Sequence, residues 1–518
     1  MTDLLPDVFA ERTPDRPAII LGGSGKIVTW RELVERSNRM ANYFVSIGLK
    51  PGDHIAYILE NNEYVHQIAW AGRRAGIYYT PINYHLKDEE SSYIVRDSEA
   101  RLLIAQPSTA ELALKAGADI PHKLMIGDEI LPGFESFEEA IAKALPDRLE
   151  GLPEGNHMCY SSGTTGKPKG IMRTMTARTY GTPLDAEVNA MHKTFGFDEH
   201  TVYLVPSPLH FAGGIGWTLG ALRYGATVVI MEKFDPEEAL RLIDQYKITH
   251  SFFVPTHFVR MLKLPREVRD AYDVSSLKLV IHGAAATPIE IKEQMLVWWG
   301  PVLHEFYSST ESPGFVRITP EEWIEHKGSV GRPVWGNIRI VDEESKEVLP
   351  PNEPGIICFE GGTDFAYHND PEKTKSAYEF HGWPTNGDIG YVDEEGWLYL
   401  TDRRSHMIIS GGVNIYPQEA ENVLTVYPAV KDVAVIGVPD EEMGEEVKAV
   451  VIPEEGYAAG PELEAELIAY CKSKLASYKC PRTVDFVDEL PRLETGKLLK
   501  RELRNRYWGD AKVKTAAM

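Results

Sequence analysis

The sequence predicts an α/β protein, and three observations carry that prediction. Apolar, strand-like runs alternate with amphipathic stretches in two separate blocks, over residues 54–105 and 201–285. Such alternation is typical of βαβ units, which build parallel sheets. From about Gly328 the chain changes to short strands with many turns, and near its C-terminus to mixed α+β. We therefore predict two α/β subdomains, a β-rich subdomain and a small C-terminal α+β region.

The first block contains three strands separated by two helices. In chain order these are the strand "HIAYILEN" (54–61), a helix over Glu63–Ala75, the strand "IYYTPIN" (77–83), the helix "LKDEESSYIVRDS" and the strand "ARLLIA" (100–105). The apolar positions of each run follow the period of its element. The block therefore predicts a parallel sheet with helices on its faces.

The second block repeats this alternation and is followed by a hairpin further along the chain. Its elements are the strand "TVYLVPSP" (201–208), a helix with a Gly-rich start, the strand "GATVVIME" (225–232), the helix "DPEEALRLIDQYK", the strand "ITHSFFVP", a helix to about Leu264 and the strand "LKLVIHGAA" (277–285). The run "GDIGYVDEEGWLYLTDR" (387–403) predicts a hairpin with a "DEEG" turn. Ligands of such sheets bind beyond the carboxyl ends of strands, where the loops "SPLHFAGG", "HGAAATP" and "SSTES" lie.

Composition limits the possible partners. The 518 residues are 43% hydrophobic, enough for a large core, and 54 Lys+Arg against 77 Asp+Glu give a net charge of −23. A surface this acidic repels nucleic acid and anionic lipid. Four scattered cysteines predict reduced thiols rather than a disulfide framework or a zinc site. With no signal peptide and no run long enough to span a membrane, we expect a soluble cytoplasmic protein.

The segment "YSSGTTGKPKG" (160–170) combines glycines, hydroxyls and lysines directly after an apolar run. Glycines allow a ligand to approach the backbone, and the N–H groups, hydroxyls and ammonium groups together suit phosphate. The plain alternative is a solvated surface loop, and the composition of the segment does not decide between the two. The segment is not a Walker loop, because Pro168 follows Lys167.

Five motifs together resemble the adenylate-forming superfamily, which includes acyl- and aryl-CoA synthetases, adenylation domains of peptide synthetases and luciferase-like enzymes. They are "YSSGTTGKPKG", "YSSTES", "GDIGYVDEEGWLYLTDR", "SGGVNIYPQE" and "PRLETGKLLKREL", in the family's order from residue 160 to residue 503. The resemblance covers nearly the whole chain. It implies a large N-terminal domain over 1–402 and a small mobile lid over 403–518.

The resemblance also implies the reaction and its cofactors. A carboxylate attacks the α-phosphate of ATP, with Mg²⁺ present, and forms acyl-AMP and pyrophosphate. The thiol of coenzyme A then attacks the acyl carbon and releases AMP. Preorganised donors and cations must meet the charge that gathers on the phosphates. The expected partners are thus a small carboxylic acid, ATP and CoA, with no nucleic acid.

The resemblance implies roles for individual residues, through the positions at which they match the family's motifs. The residues expected to bind the β- and γ-phosphates are Ser161, Ser162, Gly163, Thr164, Thr165, Gly166 and Lys169. Thr310 matches the α-phosphate contact and Glu311 the Mg²⁺ ligand, for which an oxygen donor is suitable. Lys497 resembles the lid lysine that reaches the carboxylate and the α-phosphate, as a movable point charge can.

The remaining positions concern the nucleoside and CoA. Residues matching the adenosine site are Ala284, Ala285 and Tyr307 for the adenine, with Asp388 and Arg403 for the ribose. Gly411 and Gly412 resemble the glycines that line the pantetheine tunnel, and a plain β-turn is the alternative. His210 lies at a position that gates the carboxylate against the CoA channel; a structural role is equally open, and a general base is disfavoured. Ser405 stands at the family's hinge position, and Ser312 where many members have Gly.

The sequence indicates less about the identity of the carboxylic acid. Gly213, Gly214, Ala284 and Ser308 are small, so we expect the walls of the acyl pocket to leave space. The stretch 282–312 resembles bacterial synthetases for fatty and bulky hydrophobic acids, which favours a medium- to long-chain or polycyclic acid. An aryl or cinnamic-type acid is the alternative. An enzyme that loads a carrier protein, a binding protein without catalysis and a light-emitting oxidase are further alternatives; the oligomeric state, for which a homodimer is one option, stays open.

Overall fold

The fold is that of a computed structural model, which describes residues 5–161, 168–173, 175, 178–182, 194–403, 406–411, 413–440, 442–492 and 498–508, with Arg403 described by its backbone alone. The chain folds into two compact units. Unit 1 comprises Met1–Phe253, Lys263–Ile281 and Asp364–Ser376, and unit 2 comprises Val254–Leu262, His282–Thr363 and Ala377–Met518. The predicted boundary between 402 and 403 lies inside unit 2 and stays a prediction.

Strands and helices alternate along much of the described chain. The strands are β1 (Pro17–Leu21), β2 (Ile27–Thr29), β3 (His54–Ile58), β4 (Tyr78–Pro81), β5 (Ala100–Ala105), β6 (His122–Met125), β7 (Glu135–Ser136), β8 (Cys159–Ser161), β9 (Lys169–Met172), β10 (Val202–Val205), β11 (Thr227–Ile230), β12 (His250–Phe253), β13 (Leu279–His282), β14 (Leu303–Tyr307), β15 (Phe315–Ile318), β16 (Arg332–Trp335), β17 (Asn337–Val341), β18 (Gly355–Glu360), β19 (Ala366–Tyr367), β20 (Thr385–Val392), β21 (Leu398–Arg403), β22 (Ile408–Ser410), β23 (Val413–Ile415), β24 (Val430–Asp440), β25 (Gly444–Pro453) and β26 (Thr483–Phe486). The helices are α1 (Pro6–Arg12), α2 (Trp30–Ser46), α3 (Tyr64–Ala75), α4 (Asp88–Asp97), α5 (Ala110–Ala116), α6 (Phe137–Ala142), α7 (Ala212–Arg223), α8 (Pro236–Tyr246), α9 (Pro255–Leu262), α10 (Arg266–Arg269), α11 (Ile289–Trp299), α12 (Pro320–Glu325), α13 (Pro371–Ser376), α14 (Pro417–Thr425), α15 (Pro461–Lys474) and α16 (Lys500–Trp508).

The first predicted block forms a parallel sheet in unit 1, in the order β4-β3-β5-β6-β7. All five residues of β3 are buried, as expected of a strand covered on both faces. The helix α3 ends at Gly76, whose φ of +70° lets its N–H bond back to the Gly72 carbonyl. The strand predicted over residues 100–105 is confirmed residue for residue.

The second predicted block builds another sheet, whose unit 1 strands run in the order β13-β12-β10-β11-β1-β2. The pairings of β10 with β11 and β12 are parallel, as predicted. The N-terminal strand β1 adds parallel to β11, with Ile19 opposite Val228, and β2 closes the edge antiparallel. The sequence analysis did not predict these two strands.

Unit 2 is mainly antiparallel. The strands β14, β15 and β16 pair antiparallel in that order, and β17-β18-β20-β21 form a four-stranded sheet that contains the predicted hairpin. The C-terminal strands run in the order β23-β22-β25-β24, with β26 parallel to β25. The helices α14 and α15 cover this last sheet around the buried side chains of Leu424 and Leu467.

The α/β fold class is therefore confirmed, and two other sequence expectations can be compared with the described residues. All four cysteines are buried free thiols. Among the helices of the described ranges, none has the length and apolar character needed to cross a membrane.

Candidate active site

The predicted phosphate segment is framed by short antiparallel strands in unit 1. The strands β8 and β9 pair with Ser161 opposite Lys169, and β19 flanks β9 on its other side. The Lys169 ammonium lies 5.4 Å from the centre of the Tyr367 ring. The remaining predicted donors lie outside the described residues: Ser162, Gly163, Thr164, Thr165 and Gly166. The described strands therefore fix where this segment begins and ends.

Tyr160 anchors the strand that leads into the segment. Its hydroxyl donates a hydrogen bond of 2.7 Å to the carboxylate of Asp97, at the C-terminal end of α4. Its ring lies over Gly170, where an added Cβ would come within 2.9 Å of the ring. Burial, together with Asp97, raises the pKa of Tyr160. The sequence analysis did not single out Tyr160 or Asp97 for this contact, since they are 63 positions apart.

Thr310 and Glu311 lie half-buried in the turn that follows β14 in unit 2. The Ser309 carbonyl accepts a hydrogen bond of 3.1 Å from the N–H of Ser312, which has a φ of +50°. The Ser309 hydroxyl donates to the Asn386 side chain at 2.9 Å. A positive φ explains why glycine also suits the position of Ser312.

The environment of Glu311 fits the metal that the resemblance implies. Mg²⁺ usually keeps several waters and binds through one or two carboxylates together with substrate phosphates. No group of three or more metal-ligating side chains occurs among the described residues. A single carboxylate on a half-buried turn therefore fits Mg²⁺ carried by a nucleotide better than a resident metal centre.

Tyr307 and Asp388, two predicted nucleoside contacts, are joined directly. The Tyr307 hydroxyl donates a hydrogen bond of 2.8 Å to Asp388 Oδ2, and both side chains are buried. In the hairpin of β20 and β21, Asp388 lies opposite Arg403. The fold thus places Asp388 and Arg403, the two predicted ribose contacts, opposite each other in the hairpin. Tyr307, a predicted adenine contact, is hydrogen-bonded to Asp388.

Ala284 and Ala285 are exposed on the turn that follows the buried strand β13. Ala284 has a φ of +68°, a left-handed conformation in which a small side chain is least strained. An added Cβ at the preceding Gly283 would lie 2.8 Å from the Phe306 ring, so that glycine is required by packing. The two alanines therefore present a small, accessible surface to a ligand.

His210 is buried in the loop between β10 and α7. Its ring packs edge-on to Tyr84 and beside Phe211, and neither ring nitrogen has a hydrogen-bond partner within the described ranges. Burial, with a smaller effect from His85, lowers the pKa of His210 to about 3. The imidazole is therefore neutral at physiological pH, and a packing or gating role fits it better than proton transfer.

The glycines at the start of α7 correct one expectation. An added Cβ at Gly214 would overlap the Pro208 carbonyl, and one at Gly213 would lie 3.0 Å from the Phe252 ring. These two glycines are small because the protein itself fills the space beside them. At Gly216, by contrast, an added Cβ would have no atom within 4 Å among the described residues outside its own stretch of helix. Open space along α7 is therefore found at Gly216 and not where the sequence analysis placed it.

The C-terminal positions are described only in part. Gly411 has a φ of +57°, and its N–H donates to the Met443 carbonyl at 2.8 Å. An added Cβ there would meet only the flexible end of the Met443 side chain, so the positive φ, rather than packing, explains this glycine. The predicted residues Gly412, Ser405 and Lys497 lie outside the described residues.

One buried cluster in unit 1 was not predicted at all. The Glu154 carboxylate accepts hydrogen bonds from three guanidinium groups: those of Arg73 and Arg223 at 2.6 Å, and that of Arg178. Burial raises the pKa of Glu154, but the arginines outweigh it and lower that pKa to about 2. Arg73 lies in the last turn of α3 and Arg223 ends α7, where the helix dipoles favour positive charge. No local sequence signal marks Glu154, because its partners come from distant segments.

Comparison with known proteins shows the family to which the chain belongs. The AMP-binding enzyme family model matches residues 7–365, and the model of the AMP-binding enzyme C-terminal domain matches residues 419–497. Feruloyl-CoA synthase of an Amycolatopsis species is 35% identical over 96% of this chain and 97% of its own. The 2-succinylbenzoate–CoA ligase of Bacillus licheniformis is 32% identical over 95% and 98%.

Solved structures match over the same extent. The o-succinylbenzoate CoA synthetase of Bacillus subtilis, in complex with its acyl-adenylate intermediate, has a TM-score of 0.80 and 28% identity over 97% of this chain and 98% of that one. ATP-bound MatB of Rhodopseudomonas palustris has a TM-score of 0.80 and 28% identity over 97% and 99%. The α/β fold, with a large N-terminal and a small C-terminal domain, is thereby confirmed. The chain belongs to the AMP-binding family of adenylate-forming enzymes, as an ATP-dependent, AMP-forming acyl-CoA ligase that uses Mg²⁺ and CoA.

Proposed function

We propose that this ligase activates an aryl carboxylic acid of the benzoate or cinnamate type. The observation that carries the proposal is the shape of the accessible side of α7. Gly216 lies on the partly exposed side of the helix, and an added Cβ there would meet no atom of the described residues beyond its own helix within 4 Å. Space beside a helix that also packs against aromatic rings suits a flat acid.

The rings behind α7 form a continuous group in unit 1. Phe252 lies against Gly213, and the Trp217 ring lies 6.3 Å from the Phe252 ring, centre to centre. Phe195 packs edge-on to Trp217 at 5.2 Å. Aromatic rings prefer such tilted or edge-to-face neighbours, so a planar acid would extend the same packing. A long flexible chain would gain less from such ring contacts.

The predicted residues divide between the two half-reactions. In the first, Ser161 and Lys169 with the segment between them hold the β- and γ-phosphates, Thr310 contacts the α-phosphate, and Glu311 binds Mg²⁺. These groups stabilise the charge that develops on the phosphates, and Mg²⁺ adds charge neutralisation when bound. Lys497 then reaches both the carboxylate and the α-phosphate.

The nucleoside and thiol contacts complete the proposed site. Ala284, Ala285 and Tyr307 contact the adenine, while Asp388 and Arg403 hold the ribose hydroxyls. The hydrogen bond between Tyr307 and Asp388 supports this assignment, because it joins a proposed adenine contact to a proposed ribose contact. In the second half-reaction Gly411 and Gly412 line the pantetheine path, and His210 separates it from the carboxylate. We place this lid at residues 403–518, the large domain at 1–402, and the enzyme in the cytoplasm.

The decisive experiment is a panel of acids with ATP and Mg²⁺, in the presence and absence of CoA. Benzoate, cinnamate, ferulate, octanoate, palmitate and a sterol side-chain acid would be compared by pyrophosphate release and acyl-CoA formation. We expect kcat/KM to be highest for an aryl acid. A higher kcat/KM for palmitate would contradict the aryl assignment, and pyrophosphate without thioester would indicate that the acyl group goes to a carrier protein.

A size series at Gly216 sharpens the test. Gly216→Ala adds one methyl group to the open space, and Gly216→Leu fills it. We expect cinnamate turnover to fall progressively along the series while acetate turnover is kept. Alanine in a helix interior is favoured over glycine by about 0.5–1 kcal/mol, so Gly216→Ala should be no less stable than the native enzyme and a fall in its turnover would not reflect a folding defect. Equal activity of Gly216→Leu and the native enzyme on cinnamate would show that α7 does not line the acid pocket.

A fatty acid is the second candidate. The fatty acid–[acyl-carrier-protein] ligase of Streptomyces coeruleorubidus is 31% identical over 97% of this chain and 95% of its own. The exposed alanines of the β13 turn also leave room beside the nucleotide. Palmitate and a free acyl carrier protein therefore belong in the same panel.

A further inference from the structure

The turn after β13 is closed by a side-chain hydrogen bond. The His282 ring, fully buried at the end of the strand, lies with Nδ1 3.1 Å from the hydroxyl of Thr287. The turn between them carries Ala284 in its left-handed conformation. The bond therefore joins the two ends of the segment that exposes Ala284 and Ala285.

A buried ion pair lies behind the His282 ring. Lys292 on α11 donates a hydrogen bond of 2.6 Å to Glu305 on β14, and neither side chain is exposed by more than a few per cent. Glu305 Oε2 lies 3.9 Å from His282 Nε2. The Lys292 ammonium also lies 4.7 Å from the centre of the Trp323 ring. A charge pair this deeply buried holds its geometry closely, because any displacement leaves a charge unpaired.

This arrangement selects one tautomer of His282. Burial, reinforced by the charge of Lys292, lowers the pKa of the His282 imidazole, so the ring is neutral and carries a single N–H. The Glu305 carboxylate is beyond hydrogen-bond distance of Nε2, but its negative charge favours the N–H on that nitrogen. Nδ1 is then the acceptor, and the Thr287 hydroxyl donates to it. The ion pair thereby sets the direction of the bond that closes the turn.

We propose that His282 and Thr287 are positioning residues that hold the 283–287 turn in the shape that receives the adenine ring, with the Lys292–Glu305 pair as their support. The inference rests on the proposed placing of Ala284 and Ala285 against the adenine. It requires no particular carboxylic acid. Neither His282 nor Thr287 needs to touch the nucleotide; their effect passes through the backbone of the turn.

The test is nucleotide binding by Thr287→Val, measured calorimetrically on the full chain without acid or CoA. Valine keeps the branched shape but removes the donor, which leaves the buried Nδ1 unpaired. We expect the Kd for AMP to rise about three- to tenfold, the range expected from the loss of one hydrogen bond. Binding of inorganic tripolyphosphate with Mg²⁺, which has no base, should be unchanged.

Two further variants distinguish positioning from general stability. Thr287→Ser keeps the hydroxyl and should restore AMP binding to within about twofold of the native value. Ser276→Ala removes a hydroxyl that donates to the Ile248 carbonyl in unit 1, and should leave AMP binding unchanged. Native AMP affinity in Thr287→Val would overturn the proposal, as would an equal loss of AMP and tripolyphosphate binding. Because no acid is present, a wrong aryl assignment would not affect either result.

Discussion

Replacing Glu154 by glutamine tests the account of the buried arginine cluster. The substitution preserves the size of the side chain and removes its charge, so that Arg73, Arg178 and Arg223 lose the carboxylate they share. Glutamine offers one carbonyl oxygen in place of two charged ones and adds an NH₂ that faces guanidinium groups. The three buried guanidinium groups would then keep their charges without the carboxylate that they share.

The magnitude follows from two independent considerations. The fall in the pKa of Glu154 from 4.5 to about 2 corresponds to a stabilisation of roughly 3 kcal/mol in the charged form. Breaking a buried ion pair by removing one partner typically costs about 3–5 kcal/mol. Both figures agree on a loss of at least about 3 kcal/mol. That is a large part of the 5–15 kcal/mol typical of a folded domain.

The measurement is urea unfolding followed by tryptophan fluorescence, with Glu138→Gln as the matched control. Glu138 pairs with Arg36 at 2.6 Å in the same unit, but both side chains are partly exposed, so its loss should change stability by about 1 kcal/mol or less. We expect a much lower urea midpoint for Glu154→Gln than for the control. Equal midpoints for the two variants would refute the account.

The pH dependence of the native protein provides a second check on Glu154. Its pKa is lower in the folded state than the ordinary value of 4.5, so its contribution is complete above that value and is lost as the pH falls towards about 2. The stability difference between native protein and Glu154→Gln should therefore be constant from pH 6 to 8 and shrink below about pH 4.5. A difference that persists unchanged at pH 3 would contradict a charge-based explanation.

Three other predictions concern the reaction. Lys497→Ala should abolish acyl-AMP formation, measured by pyrophosphate release, yet leave thioester formation from supplied acyl-AMP largely intact; equal loss of both would exclude the lid role. Tyr307→Phe removes the hydrogen bond from Tyr307 to Asp388 and should raise KM for ATP about three- to tenfold with little change in kcat. An unchanged KM for ATP would indicate that Asp388 does not bind the ribose. His210→Phe should leave the pH dependence of kcat unchanged between pH 5 and 8, because burial lowers the pKa of His210 to about 3; loss of a kinetic pKa in that range would reveal an acid–base role.

Many elements of both units could be predicted from the sequence because they are defined by neighbouring residues. The helix predicted over Glu63–Ala75 begins one residue later, at Tyr64, and ends where predicted. The hairpin of "GDIGYVDEEGWLYLTDR" forms as expected, because its turn and its alternation lie within one short run. The strand β1 was missed, since Pro17–Leu21 joins β11 across some 200 positions and nothing in its own residues indicates that partner.

The size of the acid pocket shows where local reasoning fails. Gly213 and Gly214 suggested space when considered as small residues, but Phe252 and the Pro208 carbonyl occupy that space. Phe252 belongs to β12 and Pro208 to the loop between β10 and α7, so both lie outside the helix itself. Small size in a sequence therefore indicates either room for a ligand or close packing by the protein, and only the surrounding atoms decide which.

The motifs that identify the reaction were available from the sequence alone. Each consists of contiguous residues, because a phosphate loop, a metal-binding turn or a hairpin is built within one short stretch of backbone. The tertiary structure alone decided which distant groups meet: Glu154 with three arginines, Tyr307 with Asp388, and His282 with the Lys292–Glu305 pair. These contacts depend on how sheets and helices pack, and the free energy of packing is shared among many residues, so no single stretch of sequence records it.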